Sequence, residues 1–271
     1  MKIDPDRYRI RPGKSVDLDA RDPGDTKGFD GDKEAGVSLL DQLAERLDQL
    51  QEALYAESKQ RLLVVLQAMD AGGKDGTIRT VFGRVDPLGV RVQPFGAPSE
   101  VELAHDFLWR IHANVPARGE ITVFNRSHYE DVVVVRIHEL VAESVWSKRY
   151  DHIVAFERML HDEGTTIVKL FLHISKEEQR KRLQERLDDP RKHWKAREGD
   201  LRERRLWKEY MKAYGDAIER TATEDAPWYV VPADRNWYRN LMVAQILVST
   251  LTAMDPKLPG LRSDVTSHVV D

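Results

Sequence analysis

Apolar residues recur at spacings of three and four through VSLLDQLAERLDQLQEALYAES, with Leu39, Leu40, Leu43, Leu47, Leu50 and Leu54 on one side, which predicts an amphipathic helix. The next apolar run, LLVVL at residues 62–66, is short and uninterrupted, as in a strand buried on both faces of a parallel sheet. Helix signals over 76–84 and a strand over 90–94 follow. PSEVELAHDFLWRIHANV then reads as one helix, with Ser99 as N-cap and carboxylates in its first turn. EITVFN at 120–125 is a third strand, 145–162 a long helix, TTIVKLFLHIS a fourth strand and PWYVVPA a fifth. NWYRNLMVAQILVSTL closes the pattern as an apolar-faced helix.

Strands separated by helix-length segments predict an α/β fold, a three-layer arrangement with a central parallel sheet of about five strands. Residues 1–36, rich in Asp, Gly and Pro, cannot bury a core alone and read as an extended arm wrapping the surface or a partner subunit. Residues 37–254 form the main domain and 255–271 a tail. The interval between the fourth and fifth strands exceeds one crossover helix, so a helical lid is expected at about 176–222, with the ligand at the strand carboxyl ends beneath it.

Composition narrows the function. The chain of 271 residues has no Cys, which removes disulfides and thiolate chemistry. Its apolar runs fall short of the roughly 20 residues of a membrane span, and no signal-peptide pattern opens it, so a cytoplasmic protein with no membrane partner is expected. A formal net charge of -4 argues against a protein that coats nucleic acid. Residues 180–208 run against that balance, with twelve Lys or Arg to six Asp or Glu. They either grip an anion or form a solvated face of ion-paired helix.

The chemistry concentrates in MDAGGKDGTIR, which follows the buried strand and precedes a helix. Ala71, Gly72, Gly73, Lys74, Asp75, Gly76 and Thr77 make a candidate phosphate loop: glycines turn amides inward, Lys74 adds a compact positive charge, and the helix N-terminus favours an anion. It departs from the usual G-x-x-x-x-G-K-[ST] at Ala68 and Asp75. Without the hydroxyl that normally holds Mg²⁺, Asp70 is the better candidate to face a metal. The third strand ends in Asn125, followed by Arg126, Ser127, Glu130 and Asp131. Arg126 can fork onto phosphate, while the carboxylates carry a metal or shape an acceptor site. The second metal position stays open among Asn125, Glu130 and Asp131. The nine His residues form no convincing metal cluster, and His128 reads as a packing or hydrogen-bonding residue. Trp194, inside the basic segment, is placed to stack on a base or brace the lid.

MDAGGKDGTIR, FNRSHYEDV, RLDDPRKHWK and APWYVVPADRNWYRN together resemble the polyphosphate kinase 2 family, most closely its third class, over about residues 36–254. The resemblance implies a P-loop kinase-like core with a helical lid, phosphoryl transfer from inorganic polyphosphate to AMP and ADP, with ATP as a product, and Mg²⁺ as cofactor with Mn²⁺ as its substitute. It implies that Lys74 contacts the transferred phosphoryl and Asp70 the metal; for the second ligand Asp131 is the first choice, with Asn125 and Glu130 as the alternatives. Arg186, Lys192, Trp194 and Lys195 would contact polyphosphate or nucleotide, Arg79 and Arg84 would line a polyphosphate channel, and Ser127, Glu130 and Asp131 would shape the nucleotide site. Asn125 stands where the family's first class has Asp, and Glu130–Asp131 replace Asn-Arg. A homo-oligomer, dimer or tetramer, is also implied. The alternatives are an ATP-dependent small-molecule kinase and a non-catalytic polyanion-binding module.

Overall fold

A computed structural model describes residues 2–260, so the tail expected over 255–271 lies outside the described residues from position 261 onward. Five parallel strands, β1 (Arg61–Gln67), β2 (Val90–Pro94), β3 (Ile121–Asn125), β4 (Thr165–His173) and β5 (Trp228–Pro232), form one sheet in the order β2-β3-β1-β4-β5. The expected α/β architecture and strand number are therefore present. β1 lies at the centre with Leu62 to Leu66 fully buried, paired to β3 on one side and β4 on the other. The register brings Leu66 opposite Asn125 and Gln67 opposite Phe171, so β3 ends beside β1 while β4 continues past it to His173. Because the connections that follow β1 and β3 pass to opposite faces of the sheet, a crevice opens at that end.

On one face pack α1 (Lys33–Glu57), α2 (Lys74–Val81) and α10 (Asn236–Met254); on the other pack α5 (Glu130–Ile137), α6 (Glu143–Asp162) and α9 (Trp207–Thr221). The Asp32 carboxylate caps α1 by accepting from Ala35 N, and Ser58 ends it in the left-handed region at φ 50°. α5 had no counterpart in the sequence pattern, since its VVVV run disfavours helix in isolation; burial of Val132 and Val133 overrides that preference. The single helix expected after Pro98 is two short turns, α3 (Glu100–Leu103) and α4 (Trp109–His112). Ser99 does cap the first in a reciprocal box with Glu102, but Asp106 then accepts from Leu108 N and turns the chain out of the helix.

The arm folds back on its own domain: Tyr8, Ile10, Leu18 and Phe29 are buried, and the Tyr8 hydroxyl meets that of Tyr238 on α10. Of the segment expected as lid, α7 (Lys176–Asp188) and α8 (Glu198–Glu203) lie over the crevice. α9 belongs instead to the core layer, because Tyr210, Met211, Ala213, Tyr214, Ala217 and Ile218 give it an apolar face packed on α5 and α6.

One buried ion pair ties these layers together behind the crevice. Lys169 of β4 lies 2.5 Å from Glu157 of α6 and also donates to Thr221 O and the Tyr129 hydroxyl. Tyr129 and His128, in the turn after β3, both reach Glu157 Oε1. Burial pushes the Glu157 carboxyl up, but Lys169 and His128 outweigh it and hold it below its ordinary value. Lys169→Met alone should cost about 3–5 kcal/mol in denaturant unfolding, because Glu157 stays buried without its cation. Adding Glu157→Leu should recover most of that loss. A single variant losing less than about 1 kcal/mol would refute an organising role for the pair.

Candidate active site

Residues 68–73 turn tightly from β1 into α2. Ala71 has φ 59° and Gly73 φ 102°, and a side chain on Gly73 would begin 2.0 Å from Arg239 Nη1. A Cβ on Gly72 would lie 2.5 Å from the Ala68 methyl, so Ala68 occupies space that Gly72 leaves free. Lys74, at the first turn of α2, is buried and donates to Ala68 O at 2.9 Å. Burial and the neighbouring Arg126 push its ammonium down, opposed by Asp70, Glu130 and Asp75. Asp75 points outward, accepting from Asn125 Nδ2 at 3.0 Å and facing Lys195 of the lid at 3.7 Å. Thr77 is buried against Asn240 of α10 rather than turned toward the crevice.

The opposite wall starts at the end of β3. Arg126 is left-handed at φ 66°, a conformation uncommon for a non-glycine residue, and it aims the guanidinium at Asp70, with Nη2 2.9 Å from Oδ1. Burial works against its charge, but Glu130 and Asp70 outweigh it and raise its pKa. Gln67 links the walls, donating to Glu130 Oε1 and accepting from Ser127 N when its amide is oriented by the network. Burial raises the Glu130 pKa despite Arg126 and Lys74.

Several expected residues take other partners. Ser127 is fully buried and its hydroxyl accepts from Tyr129 N, so it braces the turn instead of facing a nucleotide. Asp131 lies between Arg110 at 3.6 Å and Arg149 at 3.4 Å, yet burial outweighs both guanidiniums and holds its carboxyl above the ordinary value. Arg84 pairs with Asp41 of α1, beyond the far end of α2 from the loop, and Arg79 is exposed. Within the lid, Arg186 pairs with Asp200 at 2.8 Å, Lys192 with Glu185 at 3.3 Å, and Trp194 is 76% exposed with Lys195 over its ring.

Other site residues escaped the sequence reading. Gln179 and Arg182 of α7 donate to Asp70 O and Ala71 O, docking this helix on residues 70–71, and Arg182 also reaches Ala233 O and Asp234 O. Arg239 interrupts the apolar face of α10, a signal visible in NWYRNLM. Beside the loop opens a cavity of about 400 Å³, whose lining includes Asp70, Phe95, Arg126, Glu130, Val134 and Tyr214. Glu203, held by His138 and Tyr210, closes its outer wall. The lining combines apolar side chains with arginines Arg110, Arg126 and Arg149 and carboxylates Asp70, Glu130, Asp131 and Glu203.

Among the described residues no three acidic or imidazole side chains converge on a metal position. Asp70 has Oδ1 engaged by Arg126, and Glu130 stands on the facing wall. Two carboxylates beside a phosphate site fit Mg²⁺, which takes one or two protein carboxylates and completes its shell with water and phosphate oxygens.

Residues 30–259 match the family model described as polyphosphate kinase 2. An AMP/ADP-polyphosphate phosphotransferase of Meiothermus ruber is 60% identical over 253 residues, covering 93% of this chain and 95% of that protein. An ADP-polyphosphate phosphotransferase of Rhodopseudomonas palustris is 44% identical, covering 96% and 93%. The crystal structure of polyphosphate kinase 2 from Arthrobacter aurescens TC1 superposes with a TM-score of 0.94 at 46% identity, covering 97% of this chain and 94% of that one.

The raised pKa of Glu130 makes its ionised form a cost to the folded state. That cost is present at neutral pH and disappears as pH falls through the folded value. Glu130→Gln should therefore raise Tm at pH 7 and lose the advantage in acid. Carboxyl NMR should show Glu130 titrating above the other glutamates, and higher still in Arg126→Met, where a stabilising cation is gone. A Glu130 midpoint at the ordinary value, about 4.3, would contradict this assignment.

Proposed function

The chain belongs to the polyphosphate kinase 2 family, and from that premise we propose that it phosphorylates AMP and ADP with inorganic polyphosphate as donor, making ATP. The observation that carries this reading is the meeting of a phosphate loop, a cation-rich lid and an adjacent nucleotide-sized cavity, with Asp70 and Arg126 at their junction. The relatives named for AMP, ADP and polyphosphate support it.

The acceptor oxygen belongs to a nucleotide phosphate already ionised near neutral pH, so no residue must remove a proton. The obstacle is repulsion between two polyanions. We assign Lys74 and Arg126 to the transferred phosphoryl group, the cavity to the acceptor nucleoside, and the amides of 71–76 to the donor chain. One P–O bond forms to the acceptor and the terminal bridging P–O bond breaks, leaving a chain one phosphate shorter. Asp70 and Glu130 would hold Mg²⁺, which would supply charge neutralisation; Mn²⁺ has the same oxygen preference. We take 176–206 as the moving part of the lid, excluding water when closed. Lys195, released from Asp75, would then face phosphate. We take transfer as direct, a reading supported by the complete burial of His128 against Glu157.

The homo-oligomer, dimer or tetramer, remains part of the proposal. Exposed Tyr55, Leu88 and Val92, on and beside edge strand β2, support a covered edge there.

With AMP and Mg²⁺, long-chain polyphosphate as sole donor should yield ADP and ATP, whereas transfer supported only by ATP would establish the small-molecule kinase reading instead. Lys74→Ala should lower kcat by about 10²–10³. If that variant keeps full turnover, or if the wild type binds polyphosphate without transfer, the loop is a binding module.

A further inference from the structure

Arg239 is 2% exposed, yet no carboxylate stands within ion-pair distance of it among the described residues. Its Nη1 donates to Asn236 Oδ1 at 2.7 Å, and its Nε and Nη2 donate to Asn240 Oδ1 at 3.1 and 2.9 Å. Both partners are neutral. Each terminal nitrogen carries a second hydrogen, and the guanidinium is pressed against the phosphate loop. Positions for a Cβ lie 2.0 Å from Nη1 at Gly73 and 3.3 Å from Nη2 at Gly76. The neighbouring charge that it feels is Arg182, a second cation, itself bonded to loop and strand-end carbonyls. A buried, unmatched guanidinium is costly, and an apolar helix such as α10 has no need of one for packing.

We propose that Arg239 is a positioning residue for the donor, a fixed positive charge behind Gly73 and Gly76 whose counter-ion is the phosphate chain held by the loop. Burial lowers its pKa to about 9, the direction expected of a cation whose counter-charge arrives only with the ligand. The glycines are then required twice over: for the left-handed turn at Gly73, and to bring backbone and guanidinium into contact. Arg239 is not among the residues lining the acceptor cavity, so its effect should fall on the donor alone. The inference takes the identity of that donor from the function proposed above.

The test uses the full chain with Arg239→Gln, which keeps a donor for Asn240 but removes the charge, and Arg239→Lys, which keeps the charge. Calorimetric titration with tripolyphosphate, without nucleotide, should show affinity falling about tenfold or more in Arg239→Gln and largely retained in Arg239→Lys. The ligand-free Tm of Arg239→Gln should equal or exceed that of the wild type, and KM for AMP should not change. Wild-type tripolyphosphate affinity in Arg239→Gln would overturn the proposal. So would a fall in its ligand-free Tm or failure to fold, which would make the guanidinium a structural strut, and so would equal loss in Arg239→Lys. A wild type that shows this Arg239-dependent binding but phosphorylates no nucleotide would sink the proposed function and leave this inference standing.

Discussion

Like charges must be gathered at one edge of the sheet before any phosphate arrives, and most of the structure around that edge answers the resulting repulsion. Lys74, Arg126, Arg182 and Arg239 all converge on residues 68–76. Each has an oxygen partner within the protein itself: Ala68 O for Lys74, Asp70 for Arg126, Ala71 O for Arg182 and two asparagine amides for Arg239.

The scaffold fixes the two walls independently. β1, fully buried, sets the loop, while β3 sets Arg126 and Glu130 through a turn anchored from beneath by Tyr129, His128, Glu157 and Lys169. Because that anchor is an ion pair with no exposure to solvent, it permits little sliding of the second wall against the first. The strained backbone of Arg126 is tolerated on the same terms, since the residues that follow it are held on several sides.

The sheet, its order of elements and the phosphate loop were legible because they rest on local signals: short apolar runs, glycines before a lysine, and caps such as Ser99. α5 was not, because its valines become helical only through tertiary burial. Asp131 and Ser127 lie in a motif whose residue types suggest ligands, but the neighbours that claim them, Arg110, Arg149 and Tyr129 N, are decided by packing. The core role of α9 was hidden for a related reason: the basic sequence continues into it, while its apolar face packs on α5 and α6. Arg239 and Arg182 were visible as residues, but nothing in the chain says that sequence-distant helices carry them to the loop. Glu130 was read as one of three metal candidates, and only the pairing of its rivals sets it apart.

The dependence of the loop on α10 bears on how the protein is made. α10 is the last helix of the described fold, yet it packs on α1 and α2 and backs the loop that emerges soon after the first strand. Chains leave the ribosome N-terminal end first, so a nascent chain exposes its phosphate loop long before the helix behind it exists. A truncated or unfinished product therefore has the motif without the site. Assembly of the final helix acts as a completion check, coupling phosphate capture to synthesis of nearly the entire domain.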